Sequence, residues 1–157
     1  MLREHRDIPL RSSIQAFLTE SSLKSSAQEL RPLEIIDQYK ALIREDPQST
    51  NARRAAWRIG DVYRAEGWYQ EAQIAYQHAL SLSERDSYDA NRAMLGLGYV
   101  FRGIKSWKDS VQTFDHVLKR TTDPTLLVSA SLGQAHSLYR MGRIKDADGL
   151  YESISSR

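Results

Sequence analysis

Residues 56–80, AWRIGDVYRAEGWYQEAQIAYQHAL, read as two amphipathic helices turned back on each other at one glycine, and this reading decides the fold. Ile59, Gly60 and Tyr63 share a face in the first half, and Gly67 interrupts it. Tyr69, Ala72, Tyr76, Ala79 and Leu80 then restore the spacing of a half-buried helix. Gly60 and Ala72 leave room for a neighbouring backbone, while Tyr63 and Tyr76 supply the bulk beside them.

The pattern recurs along the chain. Gly98, Phe101, Trp107, Ser110, Phe114, Val117 and Leu118 stand 38 residues after Gly60, Tyr63, Tyr69, Ala72, Tyr76, Ala79 and Leu80. Ala135, Leu138, Gly142, Ile144, Ala147, Tyr151 and Ile154 follow 37 residues after Gly98, Phe101, Lys105, Trp107, Ser110, Phe114 and Val117. Upstream, Ile35, Tyr39 and Leu42 precede Ala72, Tyr76 and Ala79 by 37 residues, and Pro32 suits a first helical turn. Lys105 takes the place of Gly67, with Gly103 two residues early, so the helix before it is expected to end sooner. Residues 1–11 read as an extended lead-in, and Ser12 to Leu30, with six serines, as a weak helix.

These residues resemble the tetratricopeptide repeat, a helix-turn-helix family of about 34 residues per unit with small residues in mid-helix and aromatic ones near the ends. Gly67-x-Tyr69-x-x-Ala72-x-x-x-Tyr76-x-x-Ala79-Leu80 carries its turn and second-helix pattern. The resemblance implies an all-α, right-handed superhelical solenoid of antiparallel helix pairs. A lead-in and weak N-terminal helix would occupy 1–31, and the array 32–157, as a half repeat at 32–47 and repeats at about 53–86, 91–124 and 128–157. The longer period, with extra residues placed in Ser83 to Tyr88 and Arg120 to Thr125, is also similar in style to bacterial envelope proteins of this family.

The chain has 157 residues, 41% of them hydrophobic and 27% charged, which suits a helical domain and not a disordered or collagenous chain. Its 22 Lys and Arg against 20 Asp and Glu leave only +2, too little for a nucleic-acid footprint. Residues 91–127 nevertheless hold six basic and three acidic side chains. Zero Cys removes disulfides, thiolate metal sites and a cysteine nucleophile. No apolar run reaches the roughly 18 residues of a membrane span, and residues 1–10 lack a secretory core. A soluble chain, cytoplasmic or periplasmic, is expected.

The resemblance places first helices on a concave wall and second helices outside. Side chains that the core does not use would line that wall: Arg54, Trp57, Arg58, Asp61 and Arg64, then Arg92, Leu95, Tyr99 and Arg102, then Leu132, His136, Tyr139 and Arg140. Arginines and rings together suit an extended or helical peptide bearing carboxylates. The plain alternative is a solvated arginine face, with Trp57 packed between units. The basic and asparagine clamp that some family members use for C-terminal carboxylates is absent, since Trp57, Asp61, Gly96, Ser129 and Gly133 stand at those places.

No enzyme is expected. His5, His78, His116 and His136 are scattered, and no nucleophile elbow, phosphate loop or dinucleotide fingerprint occurs. No cofactor or metal is implied. The expected function is protein–protein interaction through the concave face, with a protein or acidic peptide as partner. The alternative is a structural scaffold, or a piece of a longer array, that self-associates through a C-terminal edge exposing Leu138, Ile144, Leu150, Tyr151 and Ile154.

Overall fold

The computed structural model describes residues 31–155, so the weak helix expected over 12–30 lies outside it. Among the described residues the chain forms seven α-helices and no strand: α1 Pro32–Glu45, α2 Thr50–Ala65, α3 Tyr69–Leu82, α4 Tyr88–Gly103, α5 Trp107–Arg120, α6 Pro124–Arg140 and α7 Ile144–Ser155. Each packs on the next, so the path runs up and down. In addition α2 packs on α4 and α4 on α6, whereas the backbones of α1, α3, α5 and α7 stay apart from one another. The result is an all-α repeat fold with a close inner layer and a splayed outer one.

Local chemistry sets the helix ends. Ser49, Ser87 and Asp123 cap α2, α4 and α6 by accepting hydrogen bonds from the N–H groups of Ala52, Ala90 and Leu126 at 3.0, 3.2 and 2.9 Å. The hairpin turns share another device. Gly67, Lys105 and Gly142 all take left-handed backbone, with φ of 76°, 62° and 79°. The N–H of the following residue, Trp68, Ser106 or Arg143, then bonds back to Tyr63, Phe101 or Leu138 at 2.9, 2.8 or 2.9 Å. Lys105 therefore adopts the glycine conformation, and α4 does not end sooner: Gly103 closes it where Ala65 closes α2.

The core is built across helix pairs. Ile36, Tyr39 and Leu42 of α1 cluster with Ala55 and Ile59 of α2. Tyr76 and Ala79 join Trp57 to Ala93, Leu97 and Val100. Phe114 and Val117 join Leu95 to Leu126 and Ala130. Within it, two rings are clamped between backbones. A Cβ on Gly60 would fall 2.6 Å from the Tyr76 ring, and one on Gly96 would fall 2.2 Å from it. Gly98 and Gly133 grip Phe114 the same way, at 2.6 and 2.4 Å.

Two tests follow from this packing. Gly96→Ala should lower stability by about 1–3 kcal/mol, because the new methyl meets a fully buried ring. Gly149→Ala, in α7 with open space beside it, should raise stability by about 0.5–1 kcal/mol. Thermal melts of the two variants moving in the same direction would refute the clamp. Separately, Lys105→Gly should stabilise by about 1 kcal/mol by relieving left-handed strain in a side-chain-bearing residue, read from a denaturant midpoint.

A candidate partner-binding wall on the inner helices

The wall divides into a locked half and an open half. In the locked half, the Tyr76 hydroxyl emerges from the core to donate to Asp61 Oδ1. Arg92 Nη2 reaches Asp61 Oδ2 at 2.7 Å, and Arg64 donates from Nε to the Tyr76 oxygen at 3.3 Å. Burial, then the Asp61 charge, pushes the Tyr76 phenol well above its ordinary value, so it stays a donor. Asp61 is thereby spoken for by its own chain.

Trp57 is also committed. It is 7% exposed and its indole N–H donates to the Asp89 carboxylate at 2.9 Å. Arg53 lies 4.0 Å from the same carboxylate. The Arg58 and Arg92 guanidiniums stand 5.0 and 4.6 Å from the Trp57 ring centre. One Arg92 nitrogen, Nη1, is buried with no hydrogen-bond partner, a cost that the neighbouring ring face and the Asp61 pair offset. Leu95, expected on the wall, is buried in the Phe114 cluster.

The open half lies along α4 and α6. Tyr99 packs edge-on to Phe114 at 5.2 Å and donates its hydroxyl to the Ser129 carbonyl at 3.3 Å. Arg64 and Arg102 stand 5.3 and 4.8 Å from its ring centre. Arg140 stands 5.2 Å from the Trp107 ring, which also faces His136 at 6.3 Å. Tyr139, Arg140, His136 and Leu132 are exposed, and Arg102 is half-buried. Among the described residues, neither Arg102 nor Arg140 has a carboxylate partner, and exposed Arg54 has none either.

Position explains the difference. Tyr99 occupies the place of Asp61 one repeat later, and Phe114 the place of Tyr76. Losing the carboxylate and the hydroxyl together leaves Arg102 without the partner that Arg64 has. Asp89 and Trp107 belong to the site although sequence reasoning passed over them. Asp89 resembles an ordinary first-turn acid, and Trp107 fills the core position of Tyr69. The period alone marks neither.

Residues 54–86 match the family model described as the tetratricopeptide repeat, so the chain carries that repeat across α2 and α3. Proteins built from this repeat are typically non-catalytic protein–protein interaction modules. No curated protein matches the chain. Among solved structures it is similar to MamA, residues 41 to the end, from Desulfovibrio magneticus RS-1, at 12% identity and TM-score 0.39 over 93% of this chain and 94% of that one. It is also similar to the MamA RS-1 ArsTM double mutant, at 12% identity and TM-score 0.40 over 93% of each chain. Likenesses of that size carry nothing across to the wall. Among the described residues, no helix is long and apolar enough to cross a membrane.

His136 reports on the open half. Desolvation by the side chains around it, then the charges of Arg102 and Arg140, hold the exposed imidazole below the ordinary value of 6.5. Each arginine disfavours the imidazolium, so Arg102→Gln should raise the His136 pKa. A histidine proton titration by NMR checks this, and an unchanged midpoint would place Arg102 away from His136.

Proposed function

We propose that the chain holds an acidic, extended or helical segment of a partner protein against the open half of its wall. The supporting observation is that Arg102 and Arg140, each beside an aromatic ring and both close enough to depress His136, lack carboxylate partners among the described residues. A guanidinium offers a planar fork matched to a carboxylate. A flanking ring preorganises it, and exposed Tyr139 and Leu132 add apolar area. The locked half has less to offer a ligand, because Tyr76, Arg64 and Arg92 already converge on Asp61.

An array of short peptides combining Asp or Glu with Leu, Phe or Tyr tests this. Bound peptides should weaken at least about tenfold with Arg102→Glu/Arg140→Glu, and should weaken with added salt. The melting point should hardly move, since neither side chain carries an ion pair. Binding should also raise the His136 pKa by bringing in a carboxylate. Peptide binding indifferent to both arginines, or no binding peptide in the array, would reject the reading.

A further inference from the structure

The outer layer carries a groove three times, and the three are the same place in successive repeats. Glu71, Ile74 and Ala75 line the first, between α1 and α3. Asp109, Gln112 and Thr113 line the second, beside α5, and Asp146, Gly149 and Leu150 the third, beside α7. The spacing is 38 and then 37 residues. Only the first places a bulky apolar side chain, Ile74, where the others have Gln112 and Gly149, and Ile74 is 67% exposed. Ile43, Ile59 and Tyr63 extend that apolar surface, and the cavity is about 420 Å³.

The first groove is also polarised. Lys40 and Arg44, one helical turn apart near the C-terminal end of α1, are exposed and have no acidic partner among the described residues. The up-and-down path makes α1 and α3 run parallel, so Glu71, in the first turn of α3, sits at the opposite end, and His78 faces the groove two turns further on. The groove therefore runs from an acidic end to a basic end over an apolar middle.

One exposed element of this chain carries the complementary order. On α7, Ile144, Asp148, Tyr151 and Glu152 share a face, and all are exposed. Lys145 stands at its N-terminal end, and the only described ion pair of α7 is Arg143 with Asp146. Lys145 and Glu152 are seven residues apart, as are Glu71 and His78, a rise of about 10 Å in both helices. The 12 residues of α7 are about 18 Å long, which fits a groove between two 14-residue helices.

We propose that the outer groove between α1 and α3 receives the exposed face of α7 from a second copy of this chain. Asp148 and Glu152 meet Lys40 and Arg44, Lys145 meets Glu71, and Ile144 and Tyr151 cover Ile74. The contact is heterologous: each copy offers one groove and one α7, so association propagates head to tail unless the rotation closes a ring. It uses the opposite layer from Arg102 and Arg140 and stands or falls independently of the peptide-binding reading.

Light scattering over about a hundredfold concentration range at low salt is the test, with the mass rising above 18.0 kDa in the wild type. Lys40→Glu/Arg44→Glu, Asp148→Lys/Glu152→Lys and Ile74→Lys should each move the association midpoint at least about tenfold higher in concentration, with melts confirming that each folds. Mixing the two charge-reversed variants should restore association, because the acidic groove of one now faces the basic α7 of the other. A wild type that stays at 18.0 kDa throughout overturns the proposal. So does association that these variants leave unchanged, or a mixture that fails to restore what each variant lost.

Discussion

The structure depends on an aromatic ring held between two glycine backbones. Tyr76, fully buried, lies against Gly60 of the helix before it and Gly96 of the helix after it, and Phe114 lies likewise between Gly98 and Gly133. A ring in that position makes dispersion contacts on both sides, and no water enters the seam. Glycine costs each helix about 1 kcal/mol of propensity relative to alanine. The close approach it permits accompanies the packing of α2 onto α4 and α4 onto α6, while the backbones of α1, α3, α5 and α7 stay apart from one another. The close inner layer and open outer layer follow from this one contact, and with them the wall on one side and the grooves on the other.

Much of this is legible in the chain. The helix pairs, their turns and the 37–38-residue period are carried by residues that repeat, because stacked units must bury equivalent faces. What escapes the period is what happens between units. Gly96 and Gly133 count in the sequence only as places where a carboxylate clamp is absent, and the ring from the preceding pair lies against them. Lys105 reads as a missing turn glycine, yet the turn survives, since its back-bonds use only main-chain groups and outweigh the left-handed strain of about 1–2 kcal/mol.

The wall was legible as a set of positions and not as a set of available groups. Trp57 and Leu95 both lie on the outward side of their helices by counting, but the next helix covers them: Asp89 takes the Trp57 indole, and Leu126 and Ala130 cluster with Leu95. Arg64, Asp61 and Arg92 form one network across residues 31 apart or closer. No comparison of equivalent positions reveals a pairing between non-equivalent ones. Charge by type is therefore a poor guide to charge on offer, and only pairing distinguishes Arg92 from Arg102.

The difference between the two halves traces back to the clamp. Tyr76 and Phe114 fill the same space, and the one atom that separates them decides the chemistry above. The Tyr76 hydroxyl, kept protonated by burial and by Asp61, holds that carboxylate where Arg64 and Arg92 converge. Phe114 has no such atom, and Tyr99 stands where the carboxylate would be, so Arg102 rests on a ring face instead of an acid. A guanidinium on a ring without a carboxylate partner keeps its whole hydrogen-bonding fork, whereas Arg92, over the Trp57 ring, has already committed one arm of its fork to Asp61. The exchange of tyrosine for phenylalanine between equivalent core positions thus changes which charged groups pair on the surface, while both rings keep the same place between two glycines.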